Sequence, residues 1–250
     1  MQIVVDKLLT TYERKGKGET VLILHGWGDS AKGLKDLISF LSEDYEVIAP
    51  DLPGFGGTQN PPAGWALDDY AKFVASFLAK IEAKNLQAVV GHSMGGAIAM
   101  RALTNQDLKP KQLVLLASAG IRDSYKGKRQ TLRAITKAGK LLTSPLPAAT
   151  KRKLRRQVYS AIGSDMLVAE HLQETFKMVT TDDTQKDAAK INIPTLIIYG
   201  EGDKATPVEF GEKFHELIQG SNLEVLPGAG HFVHLDRPRA VYNDIKGFLK

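Results

Sequence analysis

Short apolar runs, each followed by a turn residue, recur along the chain. Each run holds three or four hydrophobic residues without polar alternation, which is typical of strands buried on both faces of a parallel sheet. The runs lie at residues 21–24, 47–49, 88–90, 113–116 and 196–199. A further run at 223–226 predicts one more strand near the end of the chain.

Between these runs, apolar residues recur at helical spacing. Asp68 and Asp69 precede the clearest of these segments, where acidic residues favour a helix N-terminus. Strands that alternate with helices predict βαβ units in an α/β fold with a mostly parallel sheet. The first dozen residues, including 10–12, predict an antiparallel hairpin at the sheet edge. The helical positions are Leu34, Leu37, Ile38 and Leu41, and Tyr70, Phe73, Val74, Phe77 and Ile81.

The alternation stops over residues 121–190, where the pattern predicts helices and no strand. We therefore interpret 1–120 and 191–250 as one α/β core and 121–190 as a helical cap inserted into it. Ser164 is placed to cap the third predicted helix of the insertion. The apolar positions of the three helices are Leu132, Ile135 and Leu142; Leu154, Val158 and Ile162; and Leu167, Leu172 and Phe176.

The composition is that of an ordinary globular protein, with 43% hydrophobic and 24% charged residues among 250. The chain has no cysteine, which excludes disulfides, thiolate metal sites and a cysteine nucleophile. Residues 1–7 do not resemble a secretory signal, and no apolar run approaches the ~20 residues of a transmembrane segment. We therefore expect a soluble, cytoplasmic protein.

The segment 91–95 reads Gly-His-Ser-Met-Gly and lies between a predicted strand and a stretch of small residues typical of a helix start. A serine on such a turn has a strained backbone, and the flanking glycines allow neighbouring chains to approach closely. The turn presents the hydroxyl at a helix N-terminus, where backbone N–H groups can stabilise an oxyanion. Ser93 is therefore the predicted nucleophile.

The loop 25–28, His-Gly-Trp-Gly, directly follows the first buried strand. Its position suits a loop that supplies the second oxyanion donor. We expect the two donors to be the backbone N–H groups of Trp27 and Met94. His25 is interpreted as a residue that hydrogen-bonds within its loop rather than as a catalytic group.

A serine hydroxyl needs a base, and a histidine on a loop at the same sheet edge is expected to supply it. His231 has this placement, since it follows a strand and the turn 227–230. His234 is the alternative. His92 is adjacent to Ser93 and cannot fold back onto it. His171 and His215 fall on predicted helices.

The base in turn needs a carboxylate to fix its tautomer. Asp203 lies just after the strand at 196–199, and the chain order Ser, Asp, His is the one expected for this arrangement. Glu201 is a nearby alternative that is closer to the strand end. Asp51 and Asp29 are weaker candidates, and Asp51 is interpreted as a turn residue.

Together these motifs resemble the α/β-hydrolase superfamily along the whole chain. They are HGWG at 25–28, DLPGFG at 51–56, GHSMGG at 91–96, GEGD at 200–203 and GAGH at 228–231. The resemblance implies a sheet of about eight strands, a helical cap after the sixth strand, and no cofactor or metal. It is highly specific for the family but not for a substrate.

Within that family, epoxide hydrolases and dehalogenases carry an aspartate where this chain has Ser93, which excludes both activities. The meta-cleavage C–C hydrolases tend to carry asparagine before the nucleophile and tryptophan after the histidine. His92 and Phe232 stand there in this chain, which argues against that activity. The GHSMGG form is similar to that of many carboxylesterases and monoglyceride lipases.

The leading hypothesis is therefore a serine hydrolase that cleaves a small or medium carboxylic ester through an acyl-enzyme intermediate. C–C bond or amide hydrolysis by the same triad is one alternative. A hydrolase-fold receptor with little turnover is another, because a fold and site can be retained for ligand capture.

The net charge of +5 is unevenly distributed. Residues 121–190 hold 15 basic and 7 acidic residues, a net of +8, and 126–156 hold 11 basic residues and no acidic one. One interpretation of this basic block is a solvated face of amphipathic cap helices. The alternative hypothesis is functional: the cap attracts an anionic ester or contacts an anionic surface. Nucleic acid is disfavoured, since no aromatic residue interleaves the basic run before Tyr159.

Overall fold

The computed structural model describes residues 1–83, 85–122 and 170–250, which build one eight-stranded sheet flanked by helices. The strand order is β1-β2-β4-β3-β5-β6-β7-β8. The strands are β1 (Gln2–Val5), β2 (Leu8–Lys15), β3 (Thr20–Leu24), β4 (Glu46–Pro50), β5 (Leu86–His92), β6 (Gln112–Leu116), β7 (Thr195–Gly200) and β8 (Asn222–Leu226).

The first two strands form the predicted hairpin, and β2 pairs antiparallel with β4. Every pairing from β4 through β3, β5, β6 and β7 to β8 is parallel. This arrangement confirms the predicted fold class. The carboxyl ends of the parallel strands meet at one sheet edge, so the loops after β3, β5, β7 and β8 are neighbours.

Helices cover both faces of the sheet. They are α1 (Lys35–Leu41), α2 (Leu67–Lys80), α3 (Met94–Thr104), α4 (Gln173–Thr181), α5 (Gln185–Ala188), α6 (Val208–Leu217), α7 (Val233–Asp236) and α8 (Pro238–Leu249). Single 3₁₀ turns precede α1 at Ala31–Leu34 and α4 at Glu170–Leu172.

The central strands are largely apolar because each contributes to two separate cores. On β3, Leu22 and Leu24 pack with α2 and α3, whereas Val21 and Ile23 pack with α1 and α8 on the other face. Successive side chains of a strand point to opposite faces, so a strand covered on both sides buries the side chains of both faces and favours apolar residues at successive positions. This is the physical origin of the apolar runs.

The insertion after β6 is described in part. Residues 123–169 lie outside the described residues. This range contains Ser164 and the two predicted helices whose apolar positions begin at Leu132 and Leu154. For the third predicted helix, Leu172 ends the 3₁₀ turn and Phe176 lies in α4. No helix within residues 1–83, 85–122 and 170–250 is long and apolar enough to cross a membrane.

Candidate active site

Ser93 occupies a strained turn between β5 and α3. Its φ of +52° and ψ of −116° lie in a region that residues other than glycine rarely adopt. Glycines make the turn sterically possible. A Cβ on Gly91 would lie 2.5 Å from the Cα of Gly96, and a Cβ on Gly95 would overlap the carbonyl oxygen of Leu24. The G-x-S-x-G pattern is therefore required by backbone packing.

Backbone hydrogen bonds hold this turn against the end of β6. The Ser93 N–H donates to the Leu116 carbonyl at 2.9 Å, and the Ala119 N–H donates to the Ser93 carbonyl at 3.0 Å. Helix α3 begins at Met94. The first N–H groups of a helix have no partner within it, so the backbone at Met94 is suited to bind an anion.

The loop 25–28 lies directly against the serine. A Cβ on Gly26 would be 3.1 Å from the Ser93 Cβ and 3.0 Å from His92 Nδ1. The His25 ring is buried, with Nδ1 2.7 Å from the Gly26 carbonyl, and its Nε2 accepts a 2.8 Å hydrogen bond from the Leu52 N–H. His25 therefore braces the loop, as the sequence indicated, and Trp27 lies in the loop next to Ser93.

His231 and Asp203 are brought together from loops after adjacent strands. His231 Nδ1 lies 2.8 Å from Asp203 Oδ2. The Asp203 side chain is fully buried, and that of His231 is 17% exposed. In this pairing His231 donates through Nδ1, which leaves Nε2 as the basic nitrogen. Asp203 thus fixes the tautomer of His231.

The charge on Asp203 is stabilised inside the protein. Burial alone would raise the pKa of this carboxyl, but the hydrogen bond and charge of His231, together with bonds from Thr206, bring its pKa below the usual value. Its Oδ1 accepts the backbone N–H groups of Ala205 at 2.8 Å and Thr206 at 2.9 Å. Asp203 therefore stays ionised next to His231.

The sequence reasoning missed Thr206. Its hydroxyl lies 2.8 Å from Asp203 Oδ2, 3.1 Å from His231 Nδ1 and 2.9 Å from the Ala117 carbonyl. Because His231 Nδ1 carries a hydrogen, the Thr206 oxygen accepts from it, and the single Thr206 hydroxyl proton is donated to Asp203 Oδ2 or to the Ala117 carbonyl. Thr206 therefore also holds the Asp203–His231 pair in place. Its position three residues after Asp203, in a turn, was the available signal.

The alternative residues lie elsewhere. Glu201 accepts the Gly228 N–H at 3.1 Å and is exposed. Asp51 accepts the N–H groups of Ala31 and Gly57, each at 2.8 Å, so it joins two loops rather than making only its own turn. His234 is 1% exposed, and within the described residues neither of its ring nitrogens has a hydrogen-bond partner.

The other predicted helical histidines make structural contacts. His171 lies in the 3₁₀ turn before α4, with Nε2 3.1 Å from the Gly54 carbonyl. His215 lies on α6, with Nδ1 2.9 Å from the Ser221 hydroxyl.

Helix α4 packs against the loop that carries Trp27. The Trp27 ring meets Phe176 of α4 edge-on at 5.1 Å and Phe55 at 4.9 Å. Nearby, the backbone N–H of Trp65 donates to the Thr175 hydroxyl at 3.0 Å. Helix α4 is thus joined by aromatic contacts to the loop that carries Trp27, beside the candidate site.

A second cluster joins residues 182–187, which lie between β6 and β7, to α3 through Arg101. Its guanidinium contacts Asp182 and Asp187 at 3.0 Å each and also pairs with Asp68. Arg122, which follows β6, also contacts this part of the chain, since its Nε donates to the Asp182 carbonyl at 2.6 Å. Within residues 1–83, 85–122 and 170–250, no group of three acidic or histidine side chains is arranged to hold a metal ion.

Comparison with known families matches residues 21–245 to the model described as "Alpha/beta hydrolase family". The 2-hydroxy-6-oxo-6-(2'-aminophenyl)hexa-2,4-dienoic acid hydrolase of Metapseudomonas resinovorans is 26% identical, over 96% of this chain and 87% of that protein. Lipase 3 of Moraxella sp. strain TA144 is 26% identical, over 97% of this chain and 81% of its own length.

Among solved structures, that of a membrane phospholipase A has a TM-score of 0.78 and 26% identity, and covers 100% of this chain and 84% of that one. Proteins related to this chain thus include esterases and hydrolases of C–C bonds.

Proposed function

Because the chain belongs to the α/β-hydrolase family, we propose that it is a serine esterase with Ser93 as nucleophile, His231 as general base and Asp203 as orienting acid. The observation that carries this proposal is the 2.8 Å contact between His231 Nδ1 and the buried carboxylate of Asp203. His92, which precedes Ser93 on its strained strand-to-helix turn, bonds to the backbone carbonyl of His231. Such a turn and such a pair are what nucleophilic catalysis by serine needs.

The proposed reaction has two halves. His231 Nε2 takes the Ser93 proton as the Ser93 oxygen attacks the ester carbonyl, and the oxyanion is held by the N–H groups of Trp27 and Met94. Collapse of this intermediate expels the alcohol, which receives the proton from His231, and leaves an acyl-enzyme. Water activated by His231 then attacks the acyl-enzyme, which releases the carboxylic acid and restores Ser93.

The substrate proposal has two parts. Residues 121–190 are the cap, and the Trp27–Phe176 contact supports an apolar wall beside the serine for the organic part of a small-molecule ester. The basic run 126–156 supports an anionic ester, or a weak contact with an anionic surface. If the charge steers the substrate, kcat/KM for an anionic ester should fall as salt rises, while a neutral ester responds little.

Fluorophosphonate labelling followed by peptide mapping tests the nucleophile. We expect one label at Ser93, and Ser93→Ala should lose both labelling and ester turnover, by on the order of a million-fold. Ser221→Ala is the matched control, because the Ser221 hydroxyl lies 2.9 Å from a histidine nitrogen, Nδ1 of His215, but Ser221 precedes β8, at the amino ends of the parallel strands. A label at a residue other than Ser93 would refute the assignment.

C–C bond hydrolysis is the second candidate, supported by the 26% identity to the dienoic acid hydrolase of Metapseudomonas resinovorans. His92 and Phe232, which replace the asparagine and tryptophan expected for that activity, favour the ester. Parallel kcat/KM values for p-nitrophenyl esters and for a 2-hydroxy-6-oxo-dienoic acid decide between the two. A single turnover with every substrate would instead support the receptor hypothesis.

A further inference from the structure

A buried hydrogen bond joins the residue before the nucleophile to the loop that carries the base. His92 is the last residue of β5, and its Nε2 lies 3.0 Å from the carbonyl oxygen of His231. A carbonyl can only accept, so Nε2 of His92 carries the hydrogen and donates. The His92 side chain therefore bonds to the backbone of the residue whose own side chain acts as base.

The surroundings fix the His92 ring in one orientation. His92 is 1% exposed. Its ring contacts those of His231 at 5.0 Å, Phe232 at 5.5 Å and His234 at 4.9 Å, and the backbone of Gly26 closes the remaining side. The ring is thus enclosed by the segment 231–234 and the loop 25–28. Such enclosure leaves it little rotational freedom.

The ring is also neutral. Burial, together with the neighbouring His234 and His231, holds the pKa of His92 well below its usual value. A charged ring here would oppose the positive charge that His231 acquires when it takes the serine proton. A neutral donor holds the loop without this penalty.

Two backbone N–H bonds of the loops that carry His231 and Asp203 lead away from the nucleophile. The Gly202 N–H donates to the Ala229 carbonyl at 2.8 Å, which joins the loop to the one carrying Asp203. The Gly230 N–H donates to Asp236 Oδ2 at 2.8 Å, at the end of α7. These two bonds do not link the Asp203–His231 pair to the turn that carries Ser93. Thr206 joins the His231 side chain to the Ala117 carbonyl near that turn, whereas the His92 bond holds the backbone of His231 itself.

We infer that His92 is a positioning residue that couples the nucleophile turn to the base loop and thereby holds His231 in reach of the Ser93 hydroxyl. This inference rests on the proposed serine-hydrolase function. A misplacement of about 1 Å between reacting groups can reduce turnover about a hundredfold. Loss of the bond from His92 to the His231 carbonyl should therefore lower kcat more than it changes KM.

Three substitutions at one position separate the donor from the packing. Leucine removes the donor and keeps a similar volume. Glutamine can place its amide nitrogen near the position of Nε2, whereas asparagine is one methylene shorter and cannot. We expect His92→Leu and His92→Asn to lower kcat by at least about tenfold with KM changed by less than about twofold, and His92→Gln to recover most of the loss.

The rate of fluorophosphonate labelling at Ser93 gives a second readout that needs no natural substrate. The labelling rate should fall with kcat in the Leu and Asn variants and recover in the Gln variant. This order should hold even if the melting temperatures of the three variants follow a different order. If His92→Leu does not fold, the Asn and Gln pair decides alone.

Two results would overturn the inference, and they are distinguishable from failure of the underlying function. Wild-type labelling rates in the Leu or Asn variant, or a Gln variant no faster than Asn, would show that the hydrogen bond does not position the base. A wild-type protein that is not labelled at Ser93 would instead refute the serine-hydrolase proposal, and the role of His92 with it.

Discussion

Replacing His234 with leucine should make the stability of the protein less dependent on pH. His234 lies in α7, is 1% exposed, and within the described residues has no hydrogen-bond partner at either ring nitrogen. Burial lowers its pKa to about 4, and His231 acts in the same direction, whereas Asp29 and Asp236 oppose this shift in part. The folded protein therefore keeps this ring neutral under conditions in which the unfolded chain protonates it.

The sign and the size follow from linkage. Between the unfolded pKa of 6.5 and the folded pKa of about 4, the unfolded state binds the extra proton, so stability falls as pH falls. At pH 5, about 1.5 units below the unfolded pKa, the loss from this one residue is about 2 kcal/mol. Leucine has a similar volume and does not titrate, so the variant should lack this loss.

Urea unfolding at pH 8 and pH 5 measures the effect. We expect the free energy of unfolding to fall with pH in both proteins, since His92 and His25 are also buried with lowered pKa values. The fall should be smaller in His234→Leu by about 2 kcal/mol. His215→Leu removes an exposed ring and serves as the control. Parallel pH profiles for wild type and His234→Leu would refute the reasoning.

Three further predictions concern the site and its supports. Asp203→Asn should reduce kcat by about 10⁴-fold, less than the loss of Ser93, because it disturbs the tautomer of the base; an inactive Glu201→Gln beside an active Asp203→Asn in ester assays would show that the acid is misassigned. Gly95→Ala should lower the free energy of unfolding by at least about 2 kcal/mol, because its methyl group meets the carbonyl of Leu24; an unchanged urea midpoint would contradict this. Arg101→Met should destabilise the protein by about 3 kcal/mol by leaving the buried Asp187 carboxylate without its partner, and high salt should reduce the difference in the same unfolding assay.

The fold could be predicted because its signal is local. A strand buried on both faces must be apolar at each position, and helices between such strands must be amphipathic, so 21–24 or 113–116 indicate their structure without knowledge of neighbours. The turn at Ser93 was recognisable for a similar reason. Glycine at 91 and 95 is a steric requirement of the backbone, and it is visible in the sequence.

The contacts between distant segments were decided by the tertiary structure. Nothing near Thr206 or Arg101 in the sequence shows that the first touches His231 and the second joins α3 to residues 182–187. The sequence places His92 next to Ser93, where its side chain cannot reach back to the hydroxyl, yet its ring bonds to the backbone of His231, 139 residues later. Periodicity reports which face of an element is buried, whereas the partner on that face depends on how the loops after separate strands pack together.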